Sequence, residues 1–490
     1  MRLALALLTA AASVSAAPEG GGVDVSLEAG RVGGSGPETG LGGGARFHAF
    51  YPRLGTLRGS LDAAGGRWTG WRDTHLTLQD APWRGAHWTL RAGDFRVRTG
   101  PDSLAGGLYR PLLPARGAQV EARRGNLAWE AYCGAGALRG GRLTAFRIST
   151  GQRLCGASAT LGLSESWTVG TRFIRLDGEP RDRRGVWNAP LPVRFRAATT
   201  AAAWAAYHFN GVRLFFEGAA AGAKPAGAGG VAGKRFHGTA AAEWNHARAG
   251  ATLVAESQGA DYLPVAGAYL GDRATGRASA RARPLAALEV GLSASATRGN
   301  LERDPLRPTF RSHLRGARAS WSLPGNASLS GTLDWLRFAG SEGADLDTRL
   351  ASVSARKELG RHGLRAEWRE GAQPIPARSL EIEDAWRPLP GVGLGGLLRW
   401  RTSAGSGGEA RALDVRAFGS FSRGRWSAHA SVERGRDVAD DTLLARRLYS
   451  SSQFGLTAAI GKWKLSARGG RFNRTQELTY GSAHLLRGFD

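Results

Sequence analysis

The stretch RGRWSAHASVER, residues 423–434, decides the fold. Past its glycine it alternates strictly, with Trp426, Ala428, Ala430 and Val432 on one side and Arg425, Ser427, His429, Ser431 and Glu433 on the other. A period of two sends successive side chains to opposite faces of a β-strand. The apolar side carries small residues and a Trp rather than a run of Val and Ile. Just upstream, Leu413, Val415, Ala417, Gly419 and Phe421 alternate with Asp414, Arg416, Phe418 and Ser420, and the two runs meet in a hairpin around Ser422-Arg423-Gly424.

The same unit recurs along nearly the whole chain. Tight turns fall at Gly125-Asn126, Asn210-Gly211, Pro324-Gly325, Gly360 to Gly363 and Gly461-Lys462, where glycine, proline or asparagine supplies the backbone angles. Between them lie longer Gly- and Arg-rich connections at residues 98–116, 177–192, 220–235, 258–276, 298–308, 339–347, 402–409 and 436–443. Short and long connections alternate, which is the habit of outer-membrane barrels with short periplasmic turns and longer extracellular loops. A soluble sandwich or propeller has no reason to place every long connection at one end.

Tryptophan placement supplies a second test. Trp129, Trp167, Trp244, Trp321, Trp386, Trp426 and Trp463 lie close to a short turn, whereas Trp335, Trp368 and Trp400 lie at the far ends of strands. Two belts at the two headgroup levels account for this. The apolar face of residues 423–434 then meets lipid, and its polar face meets a wet lumen.

Composition agrees with a folded chain. Among 490 residues there are 72 glycines and 16 tryptophans, and 66 Lys+Arg against 41 Asp+Glu leave a net charge of +25. Such a charge invites an anionic partner. Met1-Arg2, the apolar run Leu3 to Ala12 and Val14-Ser15-Ala16 read as a secretory signal, residues 1–16, which directs the chain out of the cytoplasm and away from nucleic acid. Residues 17–490 are then one outer-membrane barrel, in which 94–116 is a candidate inward-folded loop. Cys133 and Cys155 fit neither a zinc nor a haem-attachment spacing, and one disulfide between them is open.

The mature chain resembles the Gram-negative outer-membrane β-barrel class, including a last strand YGSAHLLRGFD, residues 480–490, with an aromatic near its end. Class members often finish on the aromatic itself, whereas here Asp490 follows Phe489 and Arg487 breaks the apolar parity. The resemblance implies insertion by the barrel-insertion machinery. Gly93-Asp94-Phe95, Gly107-Leu108 and Arg116-Gly117-Ala118 resemble a pattern in large barrels found beside helix-hairpin-helix proteins. Its glycine-glutamine-glycine-leucine element is missing here, and no function is carried across.

The expected fold is all-β: a single large antiparallel transmembrane β-barrel of about 26 strands, within a range of 22 to 26. Parity directs Arg123, Arg213, Arg318, Arg356, Arg365, Arg369, Arg399, Arg401, Arg416, Arg425, Lys462, Lys464 and Arg468 inward, as candidate pore lining. Cross-strand pairing with Glu121, Glu217, Glu367, Asp414 and Glu433 would make some of them wall braces instead. No P-loop, HExxH, paired CxxC or calcium loop occurs, so neither an enzyme nor a cofactor is expected. The expected function is an arginine-lined transport or export conduit for an anionic solute or polymer. The alternative is a sheath that holds a plug protein or lipoprotein in a secretion, surface-assembly or electron-transfer complex. Outer-membrane lipid and lipopolysaccharide are the surrounding partners.

Overall fold

The computed structural model of the chain describes residues 20–33, 38–65, 70–71, 74–97, 113–139, 146–178, 195–225, 235–260, 262, 272–301, 303, 309–340, 345–372, 377–405, 408–436, 448–461, 463–473 and 477–489. The expected signal segment 1–16 lies outside them, as do residues 98–112 of the candidate inward loop.

Among the described residues, 27 strand segments form one sheet in which neighbours in sequence are neighbours in space and run antiparallel. Gly70–Trp71 and His75–Trp83 both pair with Gly55–Gly65 and make one interrupted stave, which leaves 26 staves. The first strand, Gly20–Gly33, pairs with Glu38–Tyr51 on one side and with the last strand, Glu477–Phe489, on the other. The hydrogen-bonded ladder therefore returns to its start, and none of the described strands is left with an unpaired edge, the liability that open sheets must manage.

The connections at one end are short everywhere. Residues 84–85, 125–126, 210–211, 360–361, 390–391 and 424–425 suffice to reverse the chain, and the longest link at this end spans residues 163–166. Asn210 and Gly211 both have positive φ, 46° and 78°, the condition of the two-residue turn whose twist matches the flanking strands. At the other end the connections are longer on average, with one correction. Residues 402–409 are not a loop: the strands Val392–Gly405 and Gly408–Arg423 run through them and leave only 406–407 between. The Gly/Ser-rich composition suggested a loop, but a stave hydrogen-bonded on both sides tolerates glycine because its neighbours fix the backbone. Phe146–Gly162 is one strand, with a register shift against Leu127–Arg139.

Register links side-chain faces across the sheet, because directly opposed residues share a face. Followed from Trp426, one face carries Val432, Ala417, Val415, Leu398, Ile382, Ala366, Ala355 and Leu329 in turn. The same parity arrives through Phe47, Ala45 and Val25 at Leu485 and Leu465 of the last two strands. An apolar face and a polar face thus run the whole circumference without a flip. A one-residue slip anywhere would exchange them.

Candidate functional site

All ten tryptophans singled out above lie on the apolar face. Trp368 and Trp400 share a row through Leu380 near the loop end. Trp386, Trp426 and Trp463 sit at the turn end, the last two as the first residues of their strands. Trp83 and Trp88 join Trp129 at the same level, with ring centroids 5.5 and 5.4 Å apart in sequence along the cluster. Among the described residues Trp204 is the exception, since it lies on the polar face and covers Gly170 directly opposite.

The polar face carries Arg123, Arg213, Arg318, Arg356, Arg365, Arg369, Arg399, Arg401, Arg416, Lys464 and Arg468. Arg425 sits in the 424–425 turn, and Lys462 lies outside the described residues. Over strands Leu346–Leu359 to Gly408–Arg423 these cations are interleaved with carboxylates. Arg365 and Arg369 both bind Glu367, which stands between them two residues from each. Arg365 also reaches Glu383 at 3.8 Å, Arg399 binds Glu381 at 2.7 Å, and Arg401 binds the buried Asp414 at 2.7 Å. Cross-strand bracing, the alternative to free lining, is what this sector displays.

A second sector differs. Arg281 and Arg318 flank Gly291 on neighbouring strands, so their Cα atoms lie ~10 Å apart at two strand spacings. Arg281 donates to Asn245 Oδ1 at 3.2 Å, and Arg318 has no ion pair among the described residues. Glu289, one row nearer the turns, is bound to Arg283 at 2.8 Å. The two guanidinium groups border a cavity of about 430 Å³ lined also by Ser279, Ser293, Thr332 and one carboxylate, Asp334. Paired guanidiniums beside hydroxyls suit a phosphate or carboxylate. Arg281 was missed in the sequence because its strand, RATGRASARARPL, carries four arginines and no long apolar residue before Leu285.

A continuous apolar face, belts of tryptophan at both of its edges and a polar face behind it admit one setting. The described strands form a closed antiparallel β-barrel whose apolar face suits a bilayer. No family model matches it, and no curated protein matches it. Solved structures similar to the barrel include the P pilus usher (PapC) translocation pore, with 11% identity, a TM-score of 0.38, and coverage of 96% of this chain and 99% of that one. The copper transporter OprC gives 10% identity, a TM-score of 0.44, and coverage of 96% and 80%. Wzi, a carbohydrate-binding β-barrel involved in group 1 capsule assembly in Escherichia coli, gives 13%, 0.35, and coverage of 69% and 84%. Likeness at this level carries no argument about this chain.

Register also gathers the residues of the Gly-Asp-Phe and Arg-Gly-Ala segments at the loop end of the barrel. Gly93 stands opposite Gly117 and Asp94 opposite Arg116, and both carboxylate oxygens of Asp94 accept from the Arg116 guanidinium while Oδ2 also accepts from Thr74 N. On the polar side of the same corner Phe95, Val97, Ala115, Tyr132, Leu154 and Ile174 form a buried apolar cluster. Cys133 and Cys155, directly opposed on the apolar face, are joined as a disulfide. Among the described residues no group of three or more His, Cys, Asp or Glu could hold a metal ion.

Proposed function

We propose that the barrel is a transport or export conduit whose lumen favours anionic cargo. The observation that carries this reading is the inward parity kept around 26 staves, polar over most of its extent apart from buried apolar patches such as that of Phe95, Val97 and Ile174. At ~4.8 Å per strand and ~40° tilt the circumference comes to ~160 Å and the diameter to ~50 Å. Side chains cannot fill such a bore, since 16- to 18-stranded barrels already leave an aqueous channel. The anion preference rests on Arg281 and Arg318, whose field is not cancelled by carboxylates opposite them, and on the excess of arginine over acid in the chain. The paired arginines at 346–423 brace the wall and add little field.

Single-channel conductance of the purified barrel in a planar bilayer under a salt gradient tests the reading. Large steps whose reversal potential has the sign of anion selectivity are expected, with the preference shrinking as salt rises from 0.1 to 1 M and screening shortens. Silence from a folded barrel, or cation selectivity, would overturn it. Silence together with a co-purifying protein would favour the sheath that holds a plug.

A further inference from the structure

The arginine excess is not confined to the polar face. In four successive strands, Leu288–Gly299 to Leu346–Leu359, the apolar-face positions at the loop end are Arg298, Arg311, His313, Arg315, Arg337 and Arg349 against a single acid, Asp347. Arg315 and Arg349 flank the Trp335 ring at 5.8 and 5.2 Å, and Trp335 Nε1 donates to Asp347 Oδ1 at 2.6 Å. A lipid-facing arginine is tolerated only near the headgroup level, so this patch lies above the apolar band, in line with the tryptophan belt.

Directly beside the patch the apolar face is hollowed. Two adjoining cavities, of about 1140 and 600 Å³, share Phe216, Ala240, Ala255, Gly276, Ala296 and His313. Their floor is mostly alanine and glycine, and a Cβ added at Gly218, Gly238 or Gly276 would meet nothing within 4 Å. Down one strand the lining runs from Ala274 to Ala278, ~13 Å toward the membrane centre. Arg298 and Arg311 close its loop end, and Arg298 Nε is sealed from water with no hydrogen-bond partner among the described residues. An apolar trough that opens onto lipid and ends in unsatisfied guanidinium chemistry has the form of a lipid seat.

We propose that this groove holds an acyl chain of a phosphorylated outer-leaflet glycolipid, the lipid A part of lipopolysaccharide, with a phosphate on Arg298, Arg311 and His313. Two cations and an imidazole at the loop end complement a phosphate, and the trough complements the chain attached to it. The site is on the outside of the barrel and is independent of what passes through it.

Native mass spectrometry of the barrel extracted from outer membranes in mild detergent reads the bound lipid directly. Folding of every sample is checked by its heat-dependent shift on a gel. Wild type is expected to retain lipid A, and R298Q/R311Q/H313Q to retain at least fivefold less. R153Q/R175Q/R434Q, which removes arginines of the same face elsewhere on the rim, is expected to retain it as wild type does. G276L, which fills the trough and keeps every charge, is expected to lose lipid as the triple variant does. Equal retention in wild type and R298Q/R311Q/H313Q overturns the proposal. Loss in the triple variant with full retention in G276L overturns the acyl seat and leaves a phosphate site alone. A lipid-free wild type that runs as a dimer, separated by the triple variant, replaces the lipid with a second copy of the barrel.

Discussion

Two sectors of the polar face, built on one hairpin plan, treat arginine in opposite ways. Between Leu346 and Arg423 a carboxylate stands two residues along the strand or directly across from most arginines: Glu367 between Arg365 and Arg369, Glu383 opposite Arg365, Glu381 and Asp414 on either side of Arg399. Between Arg273 and Leu323 the residues opposite Arg281 are Gly250 and Gly291, and those opposite Arg318 are Gly291 and Thr332. The number of arginines therefore says little about the field in the lumen. What stands in register with each of them decides whether it braces the wall or faces the solvent.

Asp414→Ala should break the braced sector hardest. Asp414 is 1% exposed and its removal strands Arg401 away from full solvation, a loss of about 3 kcal/mol. Urea unfolding of the lipid-reconstituted barrel, followed by tryptophan fluorescence, measures it; a change under half that size would show that water reaches the lattice freely. Gly117→Ala comes next, at about 2 kcal/mol, because its Cβ would run into the Cys133 carbonyl oxygen. Gly276→Ala by the same assay should change stability by less than ~0.5 kcal/mol, since the space beside it is open. Equal effects at the two glycines would erase the distinction between a locked corner and a hollow one. The smallest effect is electrical: R281Q/R318Q should lower anion-over-cation permeability about threefold, under ~1 kcal/mol. The matched R399Q/E381Q, which deletes one charge of each sign from the lattice, should leave the reversal potential where it was.

Much of the fold was legible because the signals are local. Two-residue periodicity, the Asn210-Gly211 type of turn and the tryptophan belts each need only a few consecutive residues, and each is where the alternation of sequence places it. The register was not legible, and three features depend on it. The opposition of Arg281 and Arg318 across Gly291 joins residues from three strands, which no spacing rule connects. The meeting of Asp94 with Arg116 crosses the 98–112 segment, so the two segments were read as one pattern but their contact was not. Of the outward arginines, Arg298 was placed in the 298–308 connection and Arg311, Arg315, Arg337 and Arg349 were given no face, because parity was followed only within the apolar band. Beyond the belts the same face enters the headgroup layer, where charge is no longer excluded.

The Cys133–Cys155 bond ties the parity of the barrel to one covalent point. The two residues are 22 apart in sequence and face each other only in the register that puts Trp129 and Ala159 together on the lipid side. A covalent link between directly opposed residues admits no other register at that point. A hairpin stapled there has already chosen which of its faces will be greasy. Every strand that pairs with it must match that choice, since a one-residue slip would exchange the two faces.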